Sequence, residues 1–125
     1  MEHIFTPDAP KPAGPYSQAV VHGGLVFVAG QVSVDPKTGR PCGETIEEQS
    51  ERVLQNLDAV LRASGSGLNQ LLRVTVFLAH MEDFARFNGV YERVLGGARP
   101  ARTTVEAGGL PLGLKVEVDA IAAVV

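Results

Sequence analysis

The spacing of apolar and polar positions assigns most of this chain to regular elements. The stretch "YSQAVVHGGLVFVAGQVSV" (16–34) holds two apolar runs joined by His22-Gly23-Gly24. That is a β-hairpin signal, and it makes His22 a turn residue. In "TIEEQSERVLQNLDAVLRASG" (45–65), Ile46, Val53, Leu54, Leu57, Val60 and Leu61 fall on one helical stripe. Thr45 and Glu48 form the S/T-x-x-E capping box ahead of it, and Gly65 ends it. "LLRVTVFLAH" (71–80) reads as a strand. "MEDFARFNGVYERVL" (81–95) reads as a second helix, with Met81, Phe84, Phe87, Tyr91 and Val94 at core spacing. Glu82 and Asp83 stand at its positive dipole end. "RTTVEA" (102–107) and "KVEVDAIAAVV" (115–125) are the last strands. The first dozen residues, rich in Pro and Ala, predict an extended arm rather than a packed element.

The predicted order is β-β-α-β-α-β-β, an α+β domain spanning 1–125, with two helices on one face of a mostly antiparallel or mixed sheet. "LVFVAG", "RVTVFLA" and "AIAAVV" are apolar at consecutive positions, so these strands call for burial on both faces. Two helices cover only one face. The other is expected to be covered by another copy of the chain, which makes the protein a homo-oligomer.

Composition narrows the function. The 125 residues carry 11 Lys+Arg against 14 Asp+Glu, a net charge of −3, which argues against a nucleic-acid or anionic-membrane surface. No Trp, two Tyr and five Phe leave little for a base-stacking platform. The lone Cys42, in the loop "DPKTGRPCGET", excludes an internal disulfide and a cysteine-cluster metal site. It reads as a reduced thiol in a cytosolic protein. His3, His22 and His80 have no metal-ligand spacing, so no metal is expected. The N-terminus lacks the basic start and apolar run of a signal peptide, and no apolar run approaches a membrane span. The chain is read as cytoplasmic.

Four positions could carry chemistry. Glu117 sits mid-strand in an apolar segment, where a charge is either at an exposed edge or paired. Arg102, one loop away in the chain, is its expected partner. Arg102 reads either as a strand-end arginine in solvent or an ion pair, or as a receptor whose planar fork matches a carboxylate or phosphate. Tyr16 follows the Gly14-Pro15 turn at a strand entrance, and Asn88 lies on the second helix before Gly89. Tyr16 could equally be a half-buried tyrosine with a wet hydroxyl, and Asn88 a capping or helix-interrupting residue.

The same positions fall in segments that, taken in order, resemble one known family. "GPYSQAV", "VAGQVSVDPKTG", "NLDAVLRASG", "VTVFLAHMEDFARFNGVYE", "PARTTVE" and "KVEVDAIA" are similar to the reactive intermediate deaminase A (RidA/YjgF) family, from about Phe5 to Val124. The resemblance implies a chorismate-mutase-like fold and a homotrimer with a closed central barrel and sites between subunits. It implies cofactor-independent hydrolysis of 2-imino and 2-enamino acids released by pyridoxal-phosphate enzymes, such as 2-iminopropanoate and 2-iminobutanoate, to 2-oxo acids and ammonia. It places the substrate arginine at Arg102, the glutamate at Glu117 and the tyrosine at Tyr16. Gly30 approaches the ligand through its backbone, and Asn88 matches the helix asparagine. Thr104 stands where many members have cysteine and Ala29 where some have serine, which bears on substrate preference. Thr104 still offers its backbone to a ligand. A carboxylate beside an arginine is expected to have a lowered pKa. The rival readings are a non-catalytic ligand-binding or regulatory trimer, disfavoured by the presence of Glu117 as well as Arg102, since an arginine alone would bind a 2-oxo acid without hydrolysing it, and a ribonuclease or translation inhibitor, disfavoured by the charge and the scattered histidines.

Overall fold

The capping box forms as expected in a computed structural model that describes residues 1–125. Thr45 Oγ1 accepts the Glu48 N–H at 3.1 Å, and the Glu48 carboxylate accepts the Thr45 N–H at 3.1 Å. These bonds start α1 (Ile46–Ala63), whose six predicted stripe residues are all buried. Gly65 follows its end in the left-handed region, φ 80°. A 3-10 turn, Met81–Asp83, precedes α2 (Phe84–Leu95) and carries Glu82 and Asp83 at its N-terminal end.

The strands are β1 (Glu2–Ile4), β2 (Ala19–His22), β3 (Leu25–Val32), β4 (Leu71–Leu78), β5 (Ala101–Glu106) and β6 (Val116–Ala123). They form one mixed sheet in the order β1-β2-β3-β6-β4-β5. Only β4 and β5 run parallel, with α2 as the crossover between them. Gly23 and Gly24, at φ 60° and 77°, make the two-residue turn between β2 and β3.

The N-terminal arm departs from expectation. Its first residues pair antiparallel with β2, and Ile4, Thr6 and Ala9 are buried. Gln18 ties down the rest. Its amide accepts the Thr6 N–H at 2.7 Å and donates to the carbonyls of Thr6, Ala9 and Pro10 at 3.0, 3.3 and 2.9 Å. A segment with few backbone donors of its own is thus held by one side chain.

The two faces of the sheet differ. Val26, Val28, Val74, Val76, Val116 and Val118 are buried on the face carrying the helices. The opposite face presents Phe27, Phe77, Val105 and Ile121, with Phe27 44% exposed. No second layer of the same chain covers it, and the sheet stays open. Asn56, fully buried on α1, donates to the carbonyls of Val32 and Val34 at 3.0 Å each and pins the end of β3 to the helix.

Asn56→Ala strands the buried Val34 carbonyl, removes one of the two bonds to the Val32 carbonyl and leaves a small void. We expect it to lower unfolding free energy by about 2–4 kcal/mol. Thr45→Ala removes only a cap, at about 1 kcal/mol. Urea unfolding of the two variants side by side checks the ranking.

Candidate active site

Arg102 lies near the start of β5, in register with the buried Val74, so its side chain runs beneath α2. Nη2 donates to Asn88 Oδ1 at 2.6 Å. Cζ sits 4.7 Å from the centre of the Tyr91 ring, 5.5 Å from Phe87 and 5.6 Å from Phe84. The chain's ion pairs use Arg62, Arg86 and Arg93, and none uses Arg102. This half-buried cation has no carboxylate of its own chain within 4.0 Å. Two residues on, Thr104 turns its Oγ1 to the same face, buried and without a hydrogen-bond partner.

Glu117 alternates with the buried Val116 and Val118 and therefore faces the open side. It sits at the floor of a groove of about 1000 Å³ that Tyr16, Gly30 and Leu112 also line. Gly30 belongs to a β-bulge between Val28 and Gln31, and a Cβ there would lie 2.2 Å from Glu117 Oε2. Only glycine leaves the carboxylate its place. Tyr16 is 54% exposed on the rim, with its hydroxyl accepting the Ala13 N–H at 3.2 Å. Burial, and secondarily the negative charge of Asp119, raise the Glu117 pKa above the ordinary carboxylate range.

One expectation is thereby corrected. Glu117 and Arg102 are not partners within the chain, because β4 lies between β5 and β6 and the two side chains leave opposite faces. Adjacency through one loop did not mean adjacency in the sheet. Within one chain no arginine stands beside Glu117, and burial raises its pKa. The site residues therefore form two groups: Arg102, Asn88 and Thr104 along β5 and α2, and Glu117, Tyr16 and Gly30 around the groove.

A family model described as endoribonuclease L-PSP matches residues 6–124. This chain belongs to that family, the RidA/YjgF group. A RutC family protein of Pyrococcus horikoshii is 48% identical over 121 residues, covering 97% of this chain and 96% of that protein. The chloroplastic Reactive Intermediate Deaminase A of Arabidopsis thaliana is 38% identical over 121 residues, 97% of this chain and 65% of that protein. The crystal structure of E. coli TdcF with bound serine superposes with a TM-score of 0.93 at 34% identity, covering 98% of each chain.

Sequence reading of this RidA/YjgF chain missed three features of the site. Phe84 has core spacing yet is 40% exposed, and it flanks Arg102 together with Tyr91, which packs against the core as its spacing predicts. Gln18 holds the proline-rich arm that walls the groove. Leu112 stands at the groove in the left-handed region, φ 60°, a conformation that costs a leucine roughly 1–2 kcal/mol. Pro111 and Gly113 beside it were the only signals of an unusual turn.

Gly30→Ala is expected to keep the fold while driving the Glu117 carboxylate out toward water. Its pKa then falls back toward the ordinary range. Carboxyl ¹³C NMR titration of the variant against the parent measures the shift, and thermal melting confirms that the fold is kept.

Proposed function

We propose that this protein is a cofactor-independent, cytoplasmic deaminase that hydrolyses 2-imino and 2-enamino acids, among them 2-iminopropanoate and 2-iminobutanoate, to 2-oxo acids and ammonia. It would thereby remove reactive intermediates released by pyridoxal-phosphate enzymes. The observation that carries this reading is the separation of two incomplete half-sites: an arginine without an anion, and a carboxylate without a cation. Each supplies what the other lacks, and they leave opposite faces of one sheet. Two copies of the chain can bring them together, so we assign the site to the clefts of a homotrimer with a closed central barrel. The bare apolar face carrying Phe27, Phe77 and Ile121 supports such an assembly. The kinship with the Arabidopsis deaminase supports the chemistry. The amino acid in the TdcF structure supports an α-substituted carboxylate as ligand class.

In this reaction Arg102 of one subunit holds the substrate carboxylate through two parallel N–H···O bonds. Glu117 of the next takes a proton from a water as its oxygen bonds to C2 of the iminium. The product is a carbinolamine. Glu117 returns that proton to the amine nitrogen, the C2–N bond breaks with its electron pair leaving on ammonia, and the hydroxyl proton is lost as C=O forms. A carboxylate raised above its ordinary pKa is a better base for the first step. The Arg102 of the neighbour would offset part of that rise, and positioning of the water carries the remainder. Tyr16 and the Gly30 backbone shape the pocket.

Freshly generated 2-iminopropanoate and 2-iminobutanoate, followed by 2-oxo acid release, test the reading. Glu117→Gln is expected to lower kcat about 10²–10⁴-fold, and Arg102→Ala to raise KM chiefly. Mixing Arg102→Ala and Glu117→Ala chains by co-refolding restores activity, because every mixed trimer contains a cleft with both residues. An inert parent that binds a 2-oxo acid through Arg102 would make the protein a regulatory trimer instead. Cleavage of RNA lost with neither variant would favour the ribonuclease named in the family description.

The pH profile gives a second check. Glu117 must be ionised to act as base, so activity falls on the acid side as it protonates. Asp119→Asn removes a neighbouring negative charge, lowers the Glu117 pKa and is expected to move the acid limb to lower pH.

A further inference from the structure

The packing around Arg102 carries a role for side chains that neither the family match nor the mechanism above uses. Phe84, Phe87 and Tyr91 stand at i, i+3 and i+7 on α2 and so share one face of the helix. All three rings lie within 5.6 Å of the Arg102 Cζ, with Tyr91 nearest at 4.7 Å. Phe87 is fully buried and belongs to the core, and its ring centre lies 5.5 Å from that of Tyr91. The Tyr91 hydroxyl is buried near the guanidinium without a hydrogen bond of good geometry, and the ring makes the nearest aromatic contact to Arg102.

A free arginine side chain has many rotamers, and a loosely held receptor loses that freedom on each binding event. Here that freedom is removed in advance. The aromatic rings take up the flat surface of the guanidinium and Asn88 engages one of its N–H donors. Arg102 has five such donors, and the protein supplies no second side-chain acceptor for them. What remains available is an edge, presented at a fixed angle, which suits a planar two-oxygen anion.

We propose that Tyr91 is a positioning residue that pre-orients Arg102 for the substrate carboxylate, with Phe84 and Phe87 completing the aromatic support. This rests on the reading of Arg102 as the carboxylate receptor. It further assigns affinity to a residue that need not touch substrate.

The experiment measures imine hydrolysis and, separately, 2-oxobutanoate affinity by calorimetry, in the parent, Tyr91→Leu, Tyr91→Phe, Arg102→Ala and the double variant Tyr91→Leu/Arg102→Ala. Tyr91→Leu is expected to raise KM and the 2-oxobutanoate Kd about 5- to 30-fold, as loss of a desolvated cation–π contact implies. Its kcat should change much less. Tyr91→Phe, which keeps the ring, recovers most of the affinity and melts no lower than the parent, since it removes a buried unpaired hydroxyl. In the Arg102→Ala background, Tyr91→Leu should add nothing, a result that a purely structural role would not give.

A Tyr91→Leu protein that hydrolyses and binds like the parent overturns this proposal and leaves the deaminase reading standing. So does an equal loss with and without Arg102. A parent inert toward imines whose 2-oxobutanoate affinity still depends on Tyr91 overturns the deaminase reading and leaves this proposal standing. A parent that binds no 2-oxobutanoate and hydrolyses nothing overturns both. A Tyr91→Leu chain that fails to fold shifts the decision to Phe84→Leu at the exposed end of the platform, where the same loss of affinity with kcat retained is expected and parental affinity overturns the proposal.

Discussion

The placement of β4 between β5 and β6 is the constraint on which the rest of this structure depends. It follows from the parallel crossover through α2, which sends β5 to the outer edge while the last strand returns to the middle. Arg102 then comes to lie beneath a helix, and Glu117 on the far side of the sheet. A one-residue change of register in either strand would move its charged side chain to the other face and bring apolar neighbours into water. The burial of Val74, Val116 and Val118 is therefore what fixes the charges.

Each half of the site is organised by a different device. On one side an aromatic platform and an asparagine hold a cation that has no counter-ion. On the other a bulge and a glycine make room for a carboxylate whose charge is disfavoured by burial. Both arrangements are electrostatically incomplete within one chain. Each half therefore carries a charge, or a disfavoured charge, that its own chain leaves uncompensated.

Much of this was legible in residue spacing, and what was not has physical reasons. Thr45, Glu48 and the α1 stripe are local, and a capping box or a 3.6-residue period needs no knowledge of the remaining chain. β1 was hidden because three residues ahead of a proline-rich run have too little period to register. Its pairing depends on β2 and on Gln18, which lies far along the chain. Phe84 was assigned to the core because helical spacing reports a shared face without reporting what the face meets. The pairing of Glu117 with Arg102 failed for a topological reason: no sequence pattern announces that β4 will come between two successive strands. Arg102, Glu117, Tyr16 and Asn88 stood out by residue type and position, while their roles, and the places of Gly30 and Thr104, came from the family resemblance. Composition and period reached no further than one possible anion site.

The position of β6 has a consequence for how the molecule is made. It is the last strand in the chain, yet it lies between β3 and β4 at the centre of the sheet. During synthesis the β1–β3 unit and the β4–α2–β5 unit emerge first, with no hydrogen-bonded strand between them. The Arg102 pocket, built from residues 84–102, is made of contacts that are close in sequence. The Glu117 groove is complete only once β6 has paired with both β3 and β4, so this half of the site depends on contacts that are distant in sequence.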